Sequence, residues 1–322
     1  MKRKTVLIFG ISSFLGSNLA EYLKKNYRVI GTYYSTPVDI PGILSIKCDV
    51  HEKETVQKVV YLFKPDITIY AIGLSRLEDC QNHPKVADAL NTAGVFNVSQ
   101  ASERYKSKFV FISTNFIFSG EDTLFRENDT PSPSSVYGNT MASSEFYIQK
   151  SCLNYLILRT CPLVGRSYNP NDLKWLEVVD RKAFKTEQIV CDTKVYHGFL
   201  DVWTFAEVLE KAIEMNITNR LFQISSRDIC NRYDFTKKYL DKVYGGSSLA
   251  TKGDWGFPRT ENQIALQGLG EELKFELDLF NVEDTFDFDP PSVDEVIEKI
   301  HKKFGSKKTS KVKKSSAGIS YI

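Results

Sequence analysis

The first half of the chain repeats one unit, a short apolar run rich in β-branched residues followed by a helical pattern, and few folds are open to a chain written that way. Thr5-Val-Leu-Ile-Phe9 is a continuous run, as a strand covered on both faces should be. Phe14 to Lys25 then places Phe14, Leu15, Leu19 and Leu23 on one helical face. The alternation continues with strands near Arg28 to Tyr33, Leu44 to Cys48, Ile67 to Ala71, Lys108 to Ser113 and Leu156 to Arg159. Helices are expected near Glu54 to Phe63, Lys85 to Arg104 and Tyr137 to Lys150, the last after a Pro/Ser-rich loop. The pattern predicts the α/β class with a doubly wound parallel sheet. Beyond Cys161 it becomes irregular, with helices near Asp172 to Phe184, Val202 to Met215, Tyr233 to Val243 and Val293 to Phe304. We expect a body over 1–160 to which parts of the later chain return, a smaller lobe mainly over 161–304, and a tail over 305–322.

With 322 residues, 42% hydrophobic and 25% charged, the chain is long enough to bury a core without staples. Its six cysteines are scattered with no Cys-x-x-Cys pair or nearby histidine cluster, so they read as reduced buried thiols in a cytoplasmic protein, and no metal site is expected. No apolar run approaches the roughly 18 residues of a membrane span. The basic start, Met1-Lys-Arg-Lys, imitates a secretory leader, but Gly10, Ser12 and Ser13 interrupt the apolar run and no small-x-small cleavage site follows, so export is not expected. Residues 302–322 hold seven lysines and no acid. Setting these aside leaves 35 of the 42 basic residues against 40 acidic ones, so a mildly acidic body carries a basic, Ser-rich, disordered tail. The tail is either a solvated segment or a docking segment for a partner.

Between the first strand and first helix lies Phe9-Gly10-Ile-Ser-Ser13-Phe-Leu-Gly16. Glycines there let the backbone turn tightly and approach a pyrophosphate, which amide hydrogens and the helix dipole would hold. Gly10, Ser12, Ser13, Phe14, Leu15 and Gly16 are thus cofactor candidates, with Ser13 where a middle glycine would stand.

Further on come Ile112-Ser-Thr114-Asn-Phe-Ile-Phe-Ser119-Gly and Ser135-Val-Tyr137-Gly-Asn-Thr-Met141-Ala-Ser-Ser-Glu145. With the glycine turn, Asp66-Ile-Thr-Ile-Tyr-Ala71, Asn91-Thr-Ala-Gly94-Val-Phe-Asn97, Leu158-Arg-Thr160 and Arg232-Tyr-Asp-Phe235, the chain resembles the extended short-chain dehydrogenase/reductases, and within them the dTDP-4-dehydrorhamnose reductase family. The resemblance implies an NAD(P)-binding Rossmann body and reduction of a nucleotide-activated 4-keto-deoxysugar. In that family a hydroxyl residue, a tyrosine and a lysine four places later act with a nicotinamide cofactor. Thr114 matches the hydroxyl that holds the substrate carbonyl and Tyr137 the acid that protonates its oxygen, but the lysine position is Met141.

That departure has chemical consequences. A neighbouring ammonium would draw a phenol, ordinarily near pKa 10, towards neutrality and would hydrogen-bond the nicotinamide ribose; a thioether does neither. Reduction needs only a neutral phenol, so a weakened reductase remains open, as does a cation supplied from elsewhere in the fold. Lys150 is too far along the same helix to serve. Asn115 replaces an aspartate common in the family, keeping hydrogen bonding without charge.

The end of the second strand, Gly31-Thr-Tyr33-Tyr34-Ser35, carries no acid for a ribose 2′-hydroxyl, so the reading leans to NADP over NAD, with Tyr34 and Ser35 beside the ribose. By the resemblance, Asp49 and Val50 contact adenine, and Ala71, Ile72 and Gly73 line the cofactor. Ser75, Arg76, Arg166, Trp175, His197 and Arg259 are positional candidates for the nucleotide-sugar, arginine suiting a diphosphate and tryptophan a ring face. Dimers are common in the family, so a homodimer is a further expectation. Two rival readings stand beside the reductase: a catalytically inactive NADP-binding regulatory or scaffold protein, resembling the regulatory β subunit of methionine adenosyltransferase and using the basic tail to bind its partner, and a redox sensor of the NADPH pool.

Overall fold

A computed structural model describes residues 3–121, 123–169, 173–253 and 272–304. Seven strands form one sheet in the order β12-β7-β5-β4-β1-β2-β3, and every neighbouring pair is parallel. They are β1 (Thr5–Phe9), β2 (Arg28–Tyr33), β3 (Leu44–Lys47), β4 (Ile67–Tyr70), β5 (Lys108–Thr114), β7 (Tyr155–Thr160) and β12 (Arg220–Ile224). The central strands β1 and β4 are buried along their whole length, which is why they read as continuous runs of apolar residues and threonine with no charge. The order reverses between β1 and β4, and a crevice opens at such a reversal beyond the strands' carboxyl ends.

The connecting helices are α1 (Phe14–Leu23), α2 (Lys53–Phe63), α3 (Leu77–Asn82), α4 (Pro84–Asp88), α5 (Gly94–Arg104) and α6 (Val136–Ser151). α2, α5 and α6 pack side by side, while α1 packs against α8 (Val202–Glu214). The helix expected over Lys85 to Arg104 contains a widened π turn, Ala89–Ala93, between α4 and α5. Carbonyls loosened there find side-chain donors: Tyr70 Oη donates to Leu90 O at 2.6 Å and Ser144 Oγ to Asn91 O at 2.5 Å. The turn thereby ties α6 and β4 to a single backbone segment.

The second half contributes α7 (Trp175–Phe184), α8, α9 (Arg232–Tyr244), α10 (Phe280–Phe286) and α11 (Val293–Phe304). Short strands sit among them: β6 (Leu124–Phe125), β8 (Leu163–Val164), β9 (Ile189–Asp192), β10 (Val195–His197), β11 (Leu200–Asp201), β13 (Ala250–Gly253) and β14 (Leu273–Leu277). They form one three-stranded and two two-stranded parallel pieces. α7 begins at Trp175, three residues later than Asp172, where the periodicity placed its start. β12 comes from this irregular region and returns to the main sheet. Among the described residues no helix is long and apolar enough to cross a membrane. Arg259 and the basic tail over 305–322 lie outside the described residues.

α6 is held from below by a buried ion pair. Arg159, at the end of β7, donates from Nη2 to Glu145 Oε2 at 2.8 Å and from Nε to both carboxylate oxygens at 3.1 Å. Its Nη1 donates to Glu127 O at 3.0 Å, and its guanidinium lies 5.3 Å from the Phe118 ring centre. Arg159 is 2% exposed and Glu145 1%, so the pair is desolvated and its carboxylate is fully engaged.

Candidate active site

The turn after β1 is built for close backbone approach. Gly10 has φ +87°, and a Cβ there would stand 2.6 Å from Ile72 Cγ1 and 2.8 Å from Ala71 O. A Cβ on Gly16 would overlap Gly10 O. Ser13, in place of a middle glycine, caps α1: its Oγ accepts from Gly16 N at 2.9 Å and donates to Ala71 O at 2.8 Å. The turn is thus pinned to the end of β4. Among the described residues the backbone amides of Phe14 and Leu15 have no protein acceptor, so the N-terminus of α1 presents free donors at its positive end. These features fit a dinucleotide pyrophosphate.

Two strands over, Thr114 ends β5, and Tyr137, 23 positions later, meets the same strand end, edge-on to the Phe116 ring at 6.4 Å between ring centres. Tyr137 is the second residue of α6, whose first turn Ser135 caps by accepting from Gly138 N at 3.1 Å. Burial raises the Tyr137 phenol well above its ordinary value; the nearby Thr114 hydroxyl opposes this, and the Cys80 thiol adds to it. No cation is among these leading influences. Met141 stands one helical turn on and is 6% exposed. Lys150 lies at the far end of α6 above Phe146. Beside Thr114, Asn115 is fully buried; its Oδ1 accepts from Thr114 Oγ1 at 3.4 Å and its Nδ2 has no partner. Ser134 Oγ, near the Ser135 cap, is also buried and unpaired. Unpaired polar atoms of this kind are costly when buried.

Other residues here carried no sequence signal beyond their place in the pattern. Asn91 holds the loop after β4 by accepting from Leu74 N at 2.9 Å and donating to Leu74 O at 3.0 Å, and it reaches Thr140 on α6. Cys80 donates to Leu74 O at 3.1 Å, and burial pushes its thiol up to about 12, so it is protonated at neutral pH. Gly138 lets α6 touch the loop after β5: a Cβ there would overlap Phe116 O and lie 2.8 Å from Pro133 Cβ. Gly138→Ala should therefore cost about 1–3 kcal/mol by forcing α6 off that loop. Urea denaturation measures this; an unchanged midpoint would mean that the loop yields freely.

The remaining sequence candidates are spread around this centre. Tyr34 is 61% exposed at the end of β2, with exposed Ser35 beside it. Ser12 is half-buried in the glycine turn. Asp49 Oδ1 accepts from His51 N at 2.9 Å, and buried Val50 offers its carbonyl to Asn97. Ala71, Ile72 and Gly73 follow β4 at the mouth of the turn, with Ser75 and Arg76 exposed just beyond. Arg166 is engaged elsewhere: its guanidinium meets Asp180 at 2.5 Å and lies 5.0 Å from the Phe304 ring centre, while its carbonyl accepts from Asn18 on α1. Asp180 in turn accepts from Tyr239 and Tyr244. Trp175 and His197 are brought together around Phe199, at 5.7 and 4.5 Å between ring centres. His197 is buried with Nδ1 2.9 Å from Gly198 O; burial and the nearby Arg232 push it down to about 3, so it is neutral at pH 7. Arg232, 5.6 Å from the Trp175 ring centre, was visible only as a helix start. No group of three or more His, Cys, Asp or Glu among the described residues is arranged to hold a metal.

The RmlD substrate binding domain family matches residues 3–251, taking in the sheet, the glycine turn and the Thr114–Tyr137 pair. The chain belongs to the RmlD family. This RmlD-family protein is 23% identical over 252 residues to a probable low-salt glycan biosynthesis reductase of Haloferax volcanii, covering 75% of this chain and 81% of the relative. It is 26% identical over 243 residues to methionine adenosyltransferase 2 subunit beta of Danio rerio, covering 74% and 73%. Its fold matches the crystal structure of dTDP-4-dehydrorhamnose reductase from Bacillus anthracis, solved in complex with NADP, with a TM-score of 0.78 and 20% identity over 94% of this chain and 100% of that one. RmlD-family relatives thus include sugar-biosynthesis reductases, and solved structural neighbours carry NADP or NAD.

Proposed function

We propose that this protein is an NADP-dependent reductase of the 4-keto group of a nucleotide-activated deoxysugar, slowed by Met141. The observation that carries the reading is the meeting of Thr114, at the end of β5, with Tyr137, in the first turn of α6, on the same side of the sheet as the glycine turn. The amides of Phe14 and Leu15 would hold the cofactor's pyrophosphate, and Asp49 and Val50 would face its adenine. A reduced nicotinamide bound there would supply the hydride that the carbonyl carbon accepts. Thr114 donates a hydrogen bond to the carbonyl oxygen, and the Tyr137 hydroxyl gives that oxygen its proton. A phenol raised by burial is reliably protonated, which suits reduction, but it is a poor acid and a poorer base for the reverse oxidation. Arg232 and Trp175 are the lobe residues we assign to the nucleotide-sugar, by charge and ring face.

A second reading is favoured by the same methionine. With a thioether where the family has its ammonium, and with relatives that are subunits of methionine adenosyltransferase, the chain also suits a regulatory or scaffold protein that keeps the cofactor and lacks turnover. The tail over 305–322 would then be its partner-binding segment.

Titration of the purified protein with NADPH and with NADH, followed by energy transfer from its three tryptophans and sixteen tyrosines, tests the shared premise. Saturable binding with NADPH tighter than NADH is expected. Binding of neither would sink both readings, and equal binding would remove the NADP preference.

A further inference from the structure

The sheet puts a cation where the sequence, read in order, shows none. β2 ends at Tyr33, and the exposed residues Tyr34, Ser35 and Thr36 follow without an acid. β3 lies parallel beside it with Lys47 opposite Tyr33, and Cys48 N donates to Tyr33 O at 2.8 Å. Cross-strand partners of this kind sit about 4.8 Å apart and share one face of the sheet. Lys47 is exposed and has no ion-pair or hydrogen-bond partner among the described residues. The nearest carboxylate along the chain, Asp49, is turned to the amide and ring of His51. The glycine turn rests on the same strand end, since Gly10 N and Ile11 N donate to Thr32 O at 3.1 and 2.8 Å. A dinucleotide with its pyrophosphate on α1 therefore brings its adenosine ribose to the ends of β2 and β3.

We propose that Lys47, with Ser35, selects a dinucleotide bearing a 2′-phosphate. The ammonium neutralises the phosphate and the Ser35 hydroxyl donates to it, while a bare 2′-hydroxyl finds no carboxylate acceptor at the end of β2. This rests on the cofactor reading above and names the residue that sets the choice. The interaction is one charge on one phosphate at an exposed edge, so it weakens with salt.

The experiment measures NADPH and NADH affinities by fluorescence for the wild type, Lys47→Ala and Lys47→Arg, at low and high salt. Lys47→Ala should weaken NADPH about tenfold, the loss of one hydrogen bond to a charged group, and leave NADH within about twofold. Lys47→Arg should keep the wild-type preference, and salt should weaken NADPH more steeply than NADH. If Lys47→Ala leaves the NADPH-to-NADH ratio unchanged, or weakens both equally, Lys47 is not the discriminator and the proposal fails while the cofactor reading stands. If the wild type binds neither nucleotide, proposal and cofactor reading fail together.

Discussion

Met141→Lys should raise turnover of a nucleotide-linked 4-keto-deoxysugar by about 10²-fold or more, within the range general acid catalysis contributes. Tyr137 and position 141 are one helical turn apart on α6, a spacing at which side chains meet. Burial now holds the phenol far up its scale with no cation among the leading influences. An ammonium at 141 would favour the phenolate, lower the pKa and make the phenol a better acid. The reverse oxidation, which needs the phenolate, should gain most, and the pH at which it switches on should fall. Against this stands the cost of putting a charge at a position 6% exposed, so denaturation must accompany the kinetics. Met141→Leu, which keeps the site apolar, should change neither rate nor pH profile. A folded Met141→Lys protein with unaltered rates would overturn the view that the missing ammonium limits the chemistry.

Arg159→Met should be the most destabilising single change among those considered, at about 3–5 kcal/mol, because it leaves the Glu145 carboxylate charged, buried and unpaired. It also frees Glu127 O and removes the cation above Phe118. The double change Arg159→Met with Glu145→Leu should recover much of the loss, since no orphaned charge remains. The shift of the urea midpoint reads both. A single variant costing under about 1 kcal/mol would mean that water reaches the carboxylate and that the pair is not what seats α6.

These two changes lie on one helix, and they show how differently its parts were legible. The interval from Tyr137 to Met141 is local, so the missing ammonium is plain from the spacing and the family pattern alone. The pairing of Glu145 with Arg159 is not local: it spans the loop from α6 into β7, and nothing in either residue names the other. The π turn at Ala89–Ala93 looks like ordinary helix in the sequence because the groups that satisfy its carbonyls, the Tyr70 and Ser144 hydroxyls on Leu90 and Asn91, lie on other elements. Arg166 looked suited to a diphosphate, and the fold sets it against Asp180 instead. The second half was the least legible part because its short strands, two to five residues each, are too short to show a period.

The body of the sheet was written into the chain. Strands such as Thr5–Phe9 and Ile67–Tyr70 are buried on both faces, burial requires unbroken apolar runs, and such runs alternating with helices leave a parallel, doubly wound sheet as the economical way to cover them. The glycine turn, the Thr114 and Tyr137 positions and the absence of an acid after β2 are local facts of the same kind. The fold alone decided which distant residues meet: Lys47 opposite Tyr33, Arg159 under Glu145, His197 with Trp175 around Phe199, and Tyr137 against Phe116 beside Thr114. Neighbours in a parallel sheet are joined through connections that run outside it, so their register is set by packing across the core and leaves no trace in the spacing along the chain.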